Sequence, residues 1–119
     1  MKPEPKDGGY LWDMLDTARE ARDLMHGFTL AGLLADARSR RALERTLEVL
    51  GEAANRISAP TREALPGIPW VKIIGQRNII AHGYAVLDHS RLFRTVKDDL
   101  PALIVELERI VKKLERGLK

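Results

Sequence analysis

The chain has no cysteine, which excludes disulfides and thiolate metal sites. Aromatic residues make up 5% of its 119 positions, and no strand-length alternating segment is present, so a sheet has little to be built from. No apolar run approaches the ~18–20 residues of a membrane span. Met1 to Gly9 is charged and rich in Pro and Gly, without the apolar stretch of a secretory signal. Charge of one sign is not in large excess. The net +3 permits a nucleic-acid partner without requiring one. The 3 His stand in dissimilar contexts with no metal-ligand spacing. What remains is a single domain, expected to be cytoplasmic, with no metal, no cofactor and no membrane partner.

What is present favours helices. Ala, Leu, Arg and Glu dominate a chain that is 45% hydrophobic and 31% charged. Residues 1–8 are expected as a flexible tail and 9–119 as one helical domain. Leu11, Met14, Leu15, Ala18, Ala21, Leu24 and Met25 form one apolar face ending at His26 and Gly27. Thr29 can cap a second element carrying Leu30, Leu33, Leu34 and Ala37, with a break near Asp36–Ser39. A long helix then reaches about Ser58, with Leu43, Leu47, Leu50, Ala54 and Ile57 at bundle-seam spacing. Gly51 lies inside it at a cost of ~1 kcal/mol against Ala, which points to close approach of another helix.

Pro60, Pro66, Gly67 and Pro69 interrupt the pattern, and Thr61 to Leu65 can form one short turn. Pro69 suits the start of a helix from about Trp70 to His82, and Gly83 suits its end in a left-handed conformation. Asp88 or Ser90 can cap a last helix to about Arg116, kinked near Pro101. The expected fold is all-α: an up-down bundle of about four main helices with a kinked last helix.

The chemistry gathers in Arg77-Asn78-Ile79-Ile80-Ala81-His82-Gly83-Tyr84. Trp70, Ile73, Ile74, Ile80 and Ala81 share one apolar stripe, and Arg77 falls in its middle. A guanidinium stays charged and is costly to bury alone, so Arg77 must face a charged partner, a subunit interface or an anionic ligand. Arg77 and His82 lie about 140° apart on a straight helix, and convergence is easier at a helix end. Tyr84 can fold back over the turn, and Asn78 sits at the margin of the stripe.

These groups suit metal-free cleavage of an RNA phosphodiester. Attack by a ribose 2′-oxygen needs a base and departure of the 5′-oxygen needs an acid. An imidazole, with an ordinary pKa of about 6.5, can serve either role. A guanidinium fork can hold the negative phosphorane. One His cannot be both acid and base in one step, and a two-fold dimer would bring two copies of His82 and Arg77 to one cleft. Plainer readings exist. Arg77 can be a structural ion-pair member with Glu52, Trp70 and Tyr84 can be packing residues, and His26 and His89 can be cap or surface groups. Asp98-Asp99 can be a solvated face. Arg38, Arg40, Arg41 and Arg45 can be another, or a patch that contacts a nucleic-acid backbone.

At this motif the chain resembles the HEPN-domain proteins of the HepT-like toxin group. Their hallmark Arg-x4-His-x-Tyr stands here as Arg77, His82 and Tyr84, with Asn78 matching the polar residue after the Arg. Ile68-Pro69-Trp70 and Leu50-Gly51-Glu52-Ala53-Ala54 resemble two further family segments, and the spacing agrees from about Leu11 to Leu114. The resemblance implies a dimeric helical bundle with the Arg–His motif between subunits. It also implies an endoribonuclease toxin of a type II-like toxin–antitoxin system, with a small nucleotidyltransferase antitoxin as partner. In some such systems the partner transfers AMP to the motif's Tyr, here Tyr84. The alternative is a non-catalytic subunit of a nucleotidyltransferase complex that holds a nucleotide or substrate at Arg77.

Overall fold

The computed structural model describes residues 5–83 and 86–117. A 3-10 turn at Pro5–Asp7 leads into α1 (Gly8–Leu24), followed by α2 (Leu30–Leu34), α3 (Ala37–Arg56), α4 (Ala59–Ala64), α5 (Trp70–His82), α6 (His89–Arg94) and α7 (Leu100–Gly117). A π-helical turn at Thr95–Asp99 joins α6 to α7. No strand occurs among the described residues. None of the described helices is long and apolar enough to cross a membrane.

Side chains set most of the boundaries. The Thr29 hydroxyl accepts the Gly32 N–H at 3.0 Å and caps α2. The Asp36 carboxylate accepts the N–H groups of Arg38 and Ser39 at 3.1 and 3.4 Å, so the expected break resolves into a new helix start. The Ser39 hydroxyl and N–H hold that carboxylate below its ordinary pKa. Arg40 donates back to the carbonyls of Leu33 and Leu34 at the end of α2. Arg62 does the same for α3, donating to Asn55 and Ile57. Gly27, at φ 78, supplies the left-handed turn after α1.

The irregularity expected at Pro101 lies just before it. Proline has no N–H to return to the carbonyl four residues back, and its ring would clash there. The ladder widens instead, and the Leu100 N–H reaches the Thr95 carbonyl.

The main helices pack in succession, α7 against α1, α1 against α3, and α3 against α5. The core comprises Leu11, Met14, Leu15 and Ala18 of α1, Leu43, Leu47, Leu50 and Ala54 of α3, and Leu103, Ile104, Leu107 and Val111 of α7. α5 closes the row at one edge. It buries Trp70, Ile73 and Ile80 against α3, and the Trp70 indole donates to the Leu65 carbonyl at 3.0 Å.

Ordered structure begins inside the segment expected as a tail. Asp7 is fully buried. Its carboxylate accepts the Ser58 hydroxyl at 2.6 Å, the Ser58 N–H at 3.3 Å and the Thr61 hydroxyl at 2.5 Å. Burial alone would raise its pKa. The hydroxyls of Ser58 and Thr61, the Ser58 N–H and nearby Lys6 outweigh burial and lower it. A depressed carboxylate stabilises the fold above its unfolded value, near 3.8, and the contribution is lost as pH falls through the folded value. Asp7→Ala removes the carboxylate to which two hydroxyls and the Ser58 N–H donate and is expected to cost about 2–3 kcal/mol near neutral pH. Urea denaturation should show that deficit at about pH 7 and a smaller one at about pH 3. A deficit independent of pH would show that the carboxylate charge plays no part.

Candidate active site

The motif is built where α5 crosses α3. Gly51 of α3 lies directly beneath Arg77. A Cβ added at Gly51 would stand 2.1 Å from the Arg77 Cβ, 2.8 Å from its Cγ and 3.2 Å from the Ile73 carbonyl oxygen. The absent Cβ therefore lets the two backbones close and the Arg77 stem lie across α3. This is the close approach expected from a glycine in a long helix.

The head of Arg77 is handled unusually. Its Nε is buried without a hydrogen-bond partner, and Nη1 donates to the Asn78 Oδ1 at 3.0 Å. Among the described residues no carboxylate pairs with Arg77. Glu52, the partner weighed from the sequence, lies 3.4 Å from Arg45 instead. A structural ion pair therefore does not account for Arg77. Only its Nη1 is held, by Asn78, and a guanidinium without a carboxylate partner is chemically able to take an anion.

Asn78 is the link that spacing from Arg77 to His82 did not reveal. It is four residues before His82, so the two share the exposed face of α5 although Arg77 and His82 do not. Arg77 reaches that face through its bond to Asn78. The i, i+4 relation was available in the sequence as a signal. His82 is the last residue of α5 and is exposed. Tyr84, expected to fold back and to carry the modification, lies outside the described residues.

Gly83 ends α5, but not in the expected left-handed conformation: its φ is −113. The Gly83 N–H bonds the Ile79 carbonyl at 2.8 Å. A Cβ would come within 3.1 Å of that oxygen and 3.3 Å of the Val86 Cγ2. Closeness, not the sign of φ, is what asks for glycine here.

On its other flank α5 faces α6 and the π turn across an open groove of about 570 Å³. Gln76 donates to the Thr95 hydroxyl at 2.9 Å and Lys72 to Asp99 at 2.7 Å across it. The groove lining includes Val71, Ile79, Val86, Arg91 and Arg94 but not Arg77, Asn78 or His82. Val71 is 88% exposed, Val86 71% and Ile79 40%. The other two histidines lie apart from the motif: His26 is exposed, and the His89 Nε2 lies 2.7 Å from the Glu44 Oε2, tying α6 to α3.

Comparison with known proteins places the sequence in a family. The family described as ribonuclease HepT-like matches residues 14–110. The chain is 32% identical to a candidate RNase of Methanocaldococcus jannaschii, over 83% of this chain and 91% of that protein. It is 33% identical to a protein of Thermococcus cleftensis named probable ribonuclease HepT, over 84% of this chain and 94% of that protein. A second candidate RNase of M. jannaschii is 28% identical over 89% of this chain and 88% of that protein. No solved structure matches. With the match running through α1, α3, α5 and most of α7, and with Arg77 and His82 inside it, the chain belongs to the ribonuclease HepT-like family.

Proposed function

We propose that the chain cleaves RNA without a metal, with His82 as general acid or base and Arg77 as the cation that stabilises the phosphorane. Endoribonuclease is the activity class that goes with its family. The observation that carries the mechanism is the Arg77–Asn78 bond, which brings a charged fork to the face that His82 shares. Asn78 orients that fork. Tyr84 is assigned, from the motif, the role of a substrate-positioning group and of the residue a nucleotidyltransferase antitoxin would modify. An added AMP would put a negative phosphodiester where the RNA phosphate binds.

The reaction needs an acid and a base, and each chain offers one His at the motif. A second copy supplies the other. The outer face of α5 supports such pairing. Val71, Gly75, Asn78 and His82 fall on one stripe, with Val71 and Gly75 where it borders the groove toward α6; Val71 is 88% exposed, and a Cβ at Gly75 would meet nothing within 4 Å. Two such faces related by a two-fold axis would juxtapose both Asn78–His82 pairs. The toxin role, with a nucleotidyltransferase antitoxin as partner, is part of the same reading and rests on the resemblance of the Arg77–His82 motif to the HepT-like toxin group.

Incubating the purified protein with total RNA in excess EDTA tests the chemistry. The expected products carry 2′,3′-cyclic phosphate and 5′-hydroxyl ends, as attack by the 2′-oxygen requires. Loss of cleavage on chelation would overturn the metal-free route. Pairing is tested by Val71→Glu, which buries a charge if the α5 faces meet. Wild type should sediment near twice 13.4 kDa, and the variant near the single mass with cleavage lost. A fully active monomer would remove the need for a second copy.

A further inference from the structure

The four arginines at the start of α3 are sorted by the structure into different tasks. Arg40 is spent on the carbonyls that end α2. Arg38, Arg41 and Arg45 are exposed and follow one another at three and four residues, on one face of the helix about one turn apart. Among the described residues neither the Arg38 nor the Arg41 side chain makes a hydrogen bond or a salt bridge, although the charge of Arg38 helps to hold the nearby Asp36 carboxylate below its ordinary pKa. Arg45 lies 3.2 Å from Glu48 and 3.4 Å from Glu52, which continue the same stripe.

This stripe is turned away from the core. Leu47, Leu50 and Ala54 mark the core side of α3, and the arginines lie on the opposite side. On α5, Gln76 faces the π turn through Thr95. Asn78, which holds the Arg77 fork, is about 160° around the helix from Gln76. The arginine stripe and the Arg77–Asn78 pair therefore open on the same solvent flank of the α3–α5 pair. Gly51, beneath Arg77, is ten residues past Arg41, or ~15 Å along the helix.

We propose that Arg38 and Arg41 hold the phosphate backbone of the RNA roughly two or three nucleotides away from the bond that is cut. Arginine is the side chain suited to phosphate oxygens, and the stripe offers no aromatic surface for bases, so the contact is to backbone and independent of sequence. The helix N-terminus is not the binding element, because the Asp36 carboxylate already occupies its N–H groups. Glu48 and Glu52 separate this patch from Arg77. They hold Arg45 back and leave the remote phosphate to Arg38 and Arg41.

The proposal rests on Arg77–Asn78–His82 as the cutting site only for the direction of the strand. Its test does not depend on cleavage. Binding of a labelled, fully 2′-O-methylated 12-mer, which has no 2′-hydroxyl to attack with, is measured by anisotropy over a range of salt. Arg38→Ala/Arg41→Ala is expected to weaken binding by about tenfold and to lower the slope of log affinity on log salt by about 1.4, two single-strand contacts. The same net charge is removed at the opposite edge by Lys112→Ala/Lys113→Ala on α7, which is expected to change affinity less than about twofold. In cleavage assays the Arg38/Arg41 variant should raise KM for a 12-mer with kcat unchanged, and should cut a dinucleotide as wild type does. Unchanged binding in the Arg38/Arg41 variant, or an equal loss in the α7 variant, would overturn the patch. A protein that binds the 12-mer through Arg38 and Arg41 but cuts no RNA would instead overturn the catalytic reading.

Discussion

His82→Ala is expected to lower kcat for RNA cleavage by about 10²–10⁴-fold, the usual contribution of a positioned acid or base. The loss should not come through the fold. His82 is exposed at the end of α5, so the substitution should change stability by less than about 0.5 kcal/mol. Arg77 is the companion case. Arg77→Lys keeps the charge but removes the planar fork and its bond to Asn78, and should cost about 10²–10³-fold in kcat. Asn78→Ala frees the fork without removing it, and a lost hydrogen bond to a charged group sets the cost at about ten- to a hundredfold. The ordering His82, Arg77, Asn78 can be read from single-turnover cleavage of one defined RNA. A His82→Ala protein that cuts at the wild-type rate would remove His82 from the mechanism.

Gly51→Ala is expected to be the most damaging single methyl in the chain. On propensity alone it should help, because Ala in a helix interior is favoured over Gly by ~1 kcal/mol. The packing term is opposite in sign and larger. The new Cβ would sit 2.1 Å from the Arg77 Cβ, and that atom is fixed to the α5 backbone, so no rotamer change relieves the contact. α5 must move away from α3, and α3 is the helix it packs on most extensively. A destabilisation of about 3 kcal/mol or more follows, with the Arg77 fork displaced from Asn78. Thermal or urea denaturation measures the first effect and RNA cleavage the second. Arg77→Gly added to Gly51→Ala removes the clashing Cβ and should recover much of the stability but none of the activity, a non-additivity that marks direct contact. A Gly51→Ala protein as stable as wild type would show that α3 and α5 do not meet this closely.

The helical elements were legible because their signals are local. Seam spacing in Leu43, Leu47, Leu50 and Ala54, a hydroxyl at Thr29, a carboxylate at Asp36 and a glycine after Met25 each act within one or two turns. The π turn was legible only as trouble near Pro101, since the sequence shows that a ladder bond is lost but not where the helix absorbs it. Asp7 reads as part of a tail in the sequence because its partners, Ser58 and Thr61, are more than fifty residues away. A glycine at a helix end most commonly serves a left-handed turn, whereas at Gly83 neighbouring atoms set the requirement.

For the site, the sequence by itself determined the groups and their order: a permanent cation at 77, an amide beside it, an imidazole at 82 and a glycine at 51 to admit a neighbour. Those follow from residue type and spacing, and all of them lie inside the family match over residues 14–110. Only the tertiary structure decided how they are used. It showed Arg77 lying over Gly51 rather than pairing with Glu52, its Nη1 bonded to Asn78, and Arg40 tied to the carbonyls that end α2 while Arg38 and Arg41 stay exposed. Such choices depend on which helix crosses which and at what distance. Crossing geometry is set by packing across the whole core, and no short stretch of sequence contains it.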